Sequence, residues 1–292
     1  MIYKIKHRNS DKIEEVKSTK TLSFFYNTLI GRILLKICTM KFISDIAGIY
    51  MNSRLSKYKI KKFIKDNKIK ITDYEKTNYN SFNEFFTRKI ISIKRPINMT
   101  KTAFISPCDS KLSVYTISDD LTLYIKDSYY TIDTIIDKKI LKEYKEGYAL
   151  VFRLSPTDYH RYCYIDSGYQ EKNNKIKGIL HTVQPIALKR YNFYKTNTRE
   201  WTILHTNNFD EVVHIEIGAM AIGKIKNEHE NYIFKKGEEK GYFEFGGSTI
   251  VLLIQNGKVR LDADLIENSE NGYETIVRMG ERIGKCKLPK RA

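Results

Sequence analysis

Gly241-Tyr242-Phe243-Glu244-Phe245-Gly246-Gly247-Ser248-Thr249-Ile250-Val251-Leu252-Leu253-Ile254 is the stretch that decides how this chain is read. Tyr242, Glu244 and Gly246 alternate with Phe243, Phe245 and Gly247, the period of a strand, and Val251 to Ile254 is the apolar run of a buried one. Between the two stand a pair of glycines directly before a serine. Lacking a Cβ, glycine opens backbone conformations closed to other residues and lets a second group approach closely. Taken alone, Gly-Gly-Ser between strands is most often a β-bulge. Its meaning depends on what else the chain carries.

A chain of 292 residues is long enough for a full core and for two structural units. Its hydrophobic content of 41% and charged content of 29% are those of a soluble, folded protein. The formal net charge is +17, and through Lys70 17 basic residues stand against 5 acidic ones. A basic segment of this kind suits an anionic partner, nucleic acid or an acidic lipid surface. Cys38, Cys108, Cys163 and Cys286 are widely scattered, with no CxxC pair and no signal peptide. That argues against a disulfide framework or a metal site and for a reducing compartment. The longest apolar stretch, Leu29 to Tyr50, is broken by Arg32, Lys36, Lys41 and Asp45, so no transmembrane helix is expected.

Residues 1–20 read as a short strand or loose arm. Leu22, Phe25, Tyr26, Leu29, Ile33 and Ile37 recur at spacings of three and four, with Arg32 and Lys36 opposite, which predicts one amphipathic helix. Further helical stretches run from Phe42 to Tyr50 and from Lys57 to Asn67. Such faces either pack on the rest of the protein or lie in a membrane interface, apolar side down and cations at the headgroups. Ser81 and Glu84 are spaced as a capping box for a short helix, and Arg95-Pro96 marks a linker. The boundary is set near Ile97, giving a basic, largely helical region 1–97 and a β-rich domain 98–292. The second contains many short strands split by Gly, Asn and Asp turns, including Thr122–Ile125 paired with Tyr129–Ile132, Tyr148–Leu154, Val183–Leu188 and Val212–Ile217. The expected class is α+β, with an antiparallel sandwich or barrel-like core.

Among six histidines, His181, His205 and His214 sit in or beside strands and read as hydrogen-bonded structural residues. His160 differs, because it ends a loop after the buried strand Tyr148–Leu154, where a rigid element mounts a reactive base. Asp109 lies in the turn Ser106-Pro107-Cys108-Asp109-Ser110; singly, such an aspartate usually bonds its own backbone. With His160 and a serine it can form an Asp–His–Ser relay. No G-x-S-x-G elbow is present, which disfavours a hydrolase of that type.

Five segments in order carry a resemblance. Phe82-Asn83-Glu84-Phe85-Phe86-Thr87-Arg88, the turn Ser106–Ser110, Leu154-Ser155-Pro156-Thr157-Asp158-Tyr159-His160-Arg161-Tyr162, Ile215–Gly223 and Lys236–Thr249 resemble the phosphatidylserine decarboxylases of prokaryotic type. These are pyruvoyl-dependent lyases made as zymogens, and the likeness spans residues 20–285. It implies autocatalytic cleavage between Gly247 and Ser248 into a β chain (1–247) and an α chain (248–292) that stay associated. Ser248 would become a covalent pyruvoyl group that forms a Schiff base with phosphatidylserine, and no metal is required. The implied catalytic residues are Asp109, His160 and Ser248. Two departures stand out: the family's second loop histidine is Cys163 here, and the Asp-Gly of its turn is Asp109-Ser110. Of His160 and Cys163, His160 is the better base, since its reference pKa is about 6.5 and a thiol's about two units higher.

The resemblance further implies an enzyme of phospholipid biosynthesis, producing phosphatidylethanolamine as a peripheral protein on the cytoplasmic side of the cell membrane, with an anionic phospholipid surface as partner; a homo-oligomer is left open. Two other classes stay in view: a pyruvoyl decarboxylase of a soluble amino acid, and a non-enzymatic basic module binding membrane or nucleic acid. No helix-turn-helix, RNP or finger pattern supports nucleic acid as partner.

Overall fold

The computed structural model describes residues 2–8, 10, 12–17, 20–38, 41–118, 122–125, 128–131, 138–178, 197–221 and 224–287. The chain opens with strands β1 (Ile2–His7) and β2 (Ile13–Lys17), then helices α1 (Lys20–Asn27), α2 (Leu29–Cys38), α3 (Lys41–Asn52), α4 (Tyr58–Asp66) and α5 (Phe82–Phe86). Next come β3 (Ala103–Ile105), β4 (Ser110–Thr116), β5 (Thr122–Ile125), β6 (Ser128–Thr131), helix α6 (Lys138–Leu141), β7 (Tyr148–Leu154) and β8 (Arg161–Cys163). They are followed by β9 (Gly168–Gln170), β10 (Asn174–Ile176), β11 (Arg199–Thr206), β12 (Asp210–Ala221), β13 (Ile225–Asn227) and β14 (Tyr232–Phe234). The end of the chain holds β15 (Glu239–Phe243), β16 (Gly246–Ile254), β17 (Val259–Leu261), helix α7 (Ala263–Glu270), β18 (Glu274–Val277) and β19 (Arg282–Cys286).

The architecture is mixed α and β with sheet predominating. Its frame is a sheet in the order β14-β9-β11-β12-β16-β7-β4-β18-β1-β2, with β10 added beside β11. The path ends at β14 and β2, so among the described residues it does not close into a barrel. A second sheet, β13-β15-β8, and a third, β17-β19-β3, complete the layers. Side chains alternate along strands, so Leu150, Phe152 and Leu154 of β7 share a face with Ile250, Leu252 and Ile254 of β16. Together with Leu112, Tyr162 and Phe243, they form the main core. Val251 and Leu253, on the opposite face, are also buried. Burial on both faces explains the unbroken apolar run of residues 251–254, where a half-exposed strand would alternate.

Three features depart from the sequence pattern. Residues 2–7 and 13–17, grouped with the helical region and read as a short strand or loose arm, form two strands that extend the main sheet: β1 runs parallel to β18, with Ile5 opposite Glu274. Arg8 fixes the arm by bonding Asp262, Asp264 and Glu281. The helix expected from Leu22 to Ile37 is divided at Thr28, whose Oγ1 donates to the Phe24 carbonyl at 2.9 Å and accepts the Gly31 N–H at 2.9 Å. A Cβ at Gly31 would lie 2.1 Å from the Phe24 oxygen, so only glycine allows this approach. Helix α7 was not anticipated, because it fully buries only Leu265 among its apolar residues and its pattern is mostly polar. The strand pair expected at 122–125 and 129–132 is observed as β5 and β6, whereas Ile132, His181 and the strand expected at 183–188 lie outside the described residues.

The helical region has its own small core of Ile60, Tyr79, Phe82, Phe85 and Phe86, against which Phe245 packs. Ser81 caps α5 by accepting the Glu84 N–H at 3.1 Å, while the Glu84 carboxylate takes the Asn80 N–H at 2.7 Å. This is the capping box with its return bond moved one residue outward.

Candidate active site

Ser248 lies near the start of β16, in the middle of the main sheet, opposite Gly218 of β12 and Leu154 of β7. Its side chain is fully buried, and its Oγ has no hydrogen-bond partner. A buried hydroxyl without a partner gives up roughly 1–3 kcal/mol, and such a cost points to a functional use. The backbone beside it is irregular. Between Gly218 and Ala221 the pairing with Gly246 and Ser248 slips, so β12 carries one extra residue. Gly246 has φ of 154°, a conformation that other residues rarely adopt. The Gly-Gly-Ser stretch is therefore bulge-adjacent, as its composition suggested, and holds an unsatisfied buried hydroxyl as well.

His160 follows the loop that leaves β7 just beyond Leu154. Nδ1 lies 2.9 Å from the Asp158 main-chain carbonyl. A carbonyl only accepts, so Nδ1 carries the proton and Nε2 keeps its lone pair. Nε2 is buried and has no partner. Burial, aided by the nearby Arg88 and Lys111 charges, lowers the His160 pKa to about 3. The imidazole is thus neutral at any physiological pH. The loop itself is tied down: the Asp158 carboxylate takes Lys111 Nζ at 2.7 Å and the Ser155 N–H at 2.6 Å. His160 also adjoins the segment leading to Ser248. Its carbonyl accepts the Phe243 N–H at 2.9 Å, and its ring packs 4.1 Å from Phe86, which in turn packs on Phe245.

Asp109 has other partners than the relay foresees. Its carboxylate binds Arg95 through Nε at 2.8 Å and Nη2 at 2.5 Å, and takes the Met279 N–H at 2.9 Å. No hydrogen bond joins it to His160, whose Nδ1 is used by Asp158. The Asp109 charge still favours the protonated form of His160 across the turn. Cys163 stands next to that turn, donating its N–H to Pro107 at 2.9 Å. Burial pushes its thiol up to about 12, which leaves almost no thiolate at neutral pH. Arg95→Met should strand the buried Asp109 carboxylate and destabilise the fold by about 2 kcal/mol; unchanged midpoints in urea unfolding would count against this pairing.

Two contributors carry no local sequence signal. Arg95 read only as a linker residue, and its pairing with Asp109 spans a turn that no local pattern encodes. A second is the buried network beneath β12: Glu216 accepts from Lys240 at 2.5 Å and lies 2.9 Å from His214 Nδ1, and Lys240 also reaches Asn227 at 2.8 Å. Burial acts to raise the Glu216 pKa, but Lys240 and His214 outweigh it and hold the carboxylate ionised. The network joins the small sheet to the strand facing Ser248. A lysine and a glutamate amid strand residues were the only available hint.

Taken together, the arrangement presents a buried hydroxyl after two glycines and a neutral imidazole with a free lone pair, both kept from water. The comparisons point the same way. The family model for phosphatidylserine decarboxylase matches residues 82–285. A "Phosphatidylserine decarboxylase proenzyme 2" of Clostridium acetobutylicum is 50% identical over 266 residues, 90% of this chain and 91% of that protein. A "Phosphatidylserine decarboxylase proenzyme" of Clostridium tetani is 41% identical over 94% of this chain and 95% of its own length. One from Clostridium botulinum is 40% identical over 98% of this chain and its full length.

Proposed function

This chain belongs to the phosphatidylserine decarboxylase family, an enzyme converting phosphatidylserine to phosphatidylethanolamine and carbon dioxide, and we propose that it first cuts itself between Gly247 and Ser248. The observation that carries this reading is the pair of buried, unpartnered atoms, Ser248 Oγ and His160 Nε2. His160 Nε2 takes the hydroxyl proton, and Oγ attacks the Gly247 carbonyl carbon. The bond from that carbon to the Ser248 nitrogen breaks, the nitrogen receives the proton, and an ester replaces the peptide. His160 then removes the α-hydrogen of residue 248, and the bond from Oγ to Cβ breaks. Gly247 leaves as a carboxylate. Addition of water to the remaining enamine, with loss of ammonia, leaves a pyruvoyl group at the start of 248–292.

That group supplies an electron-withdrawing carbonyl able to accept the electrons freed as carbon dioxide departs. The chain suits it: Ser248 is on a strand paired on both sides, so the new N-terminus stays in the core after cleavage. In the substrate reaction His160 is proposed to hold and return a proton. Asp109, clamped by Arg95, is proposed to support the charge on His160 from the neighbouring turn.

The proposed partner is an anionic phospholipid surface, and the proposed location is the cytoplasmic face of the cell membrane. Supporting this are exposed apolar residues on two adjoining helices: Leu29 (68%), Ile30 (66%) and Ile33 on α2, Ile46 and Ile49 (72%) on α3. Exposed Arg54, Lys57, Lys61 and Lys62 follow, and each cation near such a surface adds roughly 1 kcal/mol of attraction. No helix among the described residues is long and apolar enough to cross a membrane. Deleting residues 1–72 is a poor test, because it also removes β1, Arg8 and Ile60. Ile30→Glu combined with Ile49→Glu should abolish binding to phosphatidylserine vesicles yet leave turnover of detergent-dispersed phosphatidylserine intact. Full vesicle binding by that variant would sink the membrane reading. Release of carbon dioxide from free serine but not from phosphatidylserine would overturn the lipid substrate.

A further inference from the structure

We propose that Asn83 is a positioning residue for the self-cleavage: its side chain holds the main chain just before the scissile bond and so sets how Ser248 meets the Gly247 carbonyl. The inference rests on the reading of 247–248 as the cleaved bond. Between β15, which ends at Phe243, and β16, which starts at Gly246, the chain passes from the small sheet to the main one. The Phe243 N–H is taken by the His160 carbonyl and the Glu244 N–H by the Lys224 carbonyl. At Phe245 these main-chain bonds lapse, and its N–H donates instead to Asn83 Oδ1 at 3.0 Å.

Asn83 is well placed for this. It is buried on the five-residue helix α5. Its Nδ2 donates to Asn52 Oδ1 at 2.9 Å, and Asn52 Nδ2 donates to the Gly48 carbonyl of α3 at 3.0 Å. The amide plane is thereby fixed, with its oxygen toward Phe245. The Phe245 ring is held edge-on by Phe82 at 5.0 Å and Phe86 at 5.2 Å. Phe86 meets the His160 ring on its other side. The next two residues, Gly246 and Gly247, are the least restrained type of residue. Whatever fixes Phe245 therefore fixes the start of the two-glycine step before the attacked carbonyl. The motif Phe82–Arg88, unused by the chemistry itself, acquires a purpose: it joins the base, the scissile segment and the helical region. After cleavage, the same bond keeps the new carboxyl end close to the residue-248 terminus.

The test follows appearance of the 248–292 fragment over time by intact mass, with thermal melting in parallel. Asn83→Leu keeps the volume and loses the acceptor, and misplacement of the segment should slow cleavage on the order of tenfold to a hundredfold. Asn83→Asp keeps an acceptor oxygen, and the Asn52 amide can turn to donate to it, so cleavage should stay within about threefold of the parent. A merely structural role predicts the reverse order, because a buried charge harms stability more than leucine does. Where Asn83→Leu does not fold, Asn83→Ala takes its place with the same slowing expected. Cleavage at the parental rate in a folded Leu or Ala variant overturns the proposal, and so does an Asp variant as slow as Leu. A parent chain that never cleaves overturns the underlying reading instead.

Discussion

Ser248→Ala is expected to yield a single uncut chain of 292 residues with no decarboxylase activity. The proposed reason is that this one hydroxyl serves twice, as nucleophile in the cleavage and as the oxygen whose departure from Cβ lets residue 248 become the pyruvoyl group. Alanine offers neither. The fold should survive, since Ser248 Oγ makes no hydrogen bond that would be lost. Removing an unsatisfied buried hydroxyl is neutral or mildly stabilising, by up to about 1 kcal/mol. Loss of activity with equal or higher thermal stability is therefore the signature. Intact mass and a melting curve check both halves, and a variant that still appears as two fragments would falsify the site assignment.

The second large effect concerns the base. His160→Gln should slow cleavage by a factor of about 10² to 10⁴, the usual worth of a positioned general base, while Cys163→Ser should change it little. The thiol at position 163 is pushed up to about 12 by burial, whereas His160 is pushed down to about 3 and so keeps its lone pair free. A base of such low pKa is always available but only weakly basic. Cleavage should accordingly show no histidine titration between about pH 5 and 8 and proceed slowly. If Cys163→Ser blocks cleavage and His160→Gln does not, the roles are exchanged. The same shift has a consequence for stability. The folded pKa lies below the unfolded value of about 6.5, so over the interval between them the unfolded chain binds the extra proton. The contribution of His160 to stability is complete above that interval and is lost as pH falls from about 6.5 toward 3. His160→Gln should flatten this part of the acid-unfolding curve.

The candidates for the site are legible in the sequence alone. Ser248 was marked by its two glycines, His160 by its position after a buried strand, and Asp109 by its turn. The five motifs in order supplied a chemistry that composition could not. What was not legible was which neighbour each group takes. A relay of Asp109, His160 and Ser248 satisfies the sequence, but Arg95 claims the aspartate and the Asp158 carbonyl claims Nδ1. Neither competitor carries a pattern of its own. The division of the amphipathic stretch at Thr28 was similarly hidden, because helical spacing continues unchanged across a residue whose hydroxyl redirects the chain.

By itself, then, the sequence determined the alternation of strands, the apolar run buried on both faces and the family to which the chain belongs. These depend on neighbours a few residues apart or on motifs short enough to be written locally. The tertiary structure decided that residues 2–7 join the sheet beside residues 274–277. It also decided that Asn83 reaches Phe245 across 162 positions, and that His160 Nε2 and Ser248 Oγ are both left without hydrogen-bond partners. Those outcomes depend on which buried donors and acceptors remain once distant segments have packed. Hydrogen-bond demand in a dry interior is settled by the whole set of contacts together.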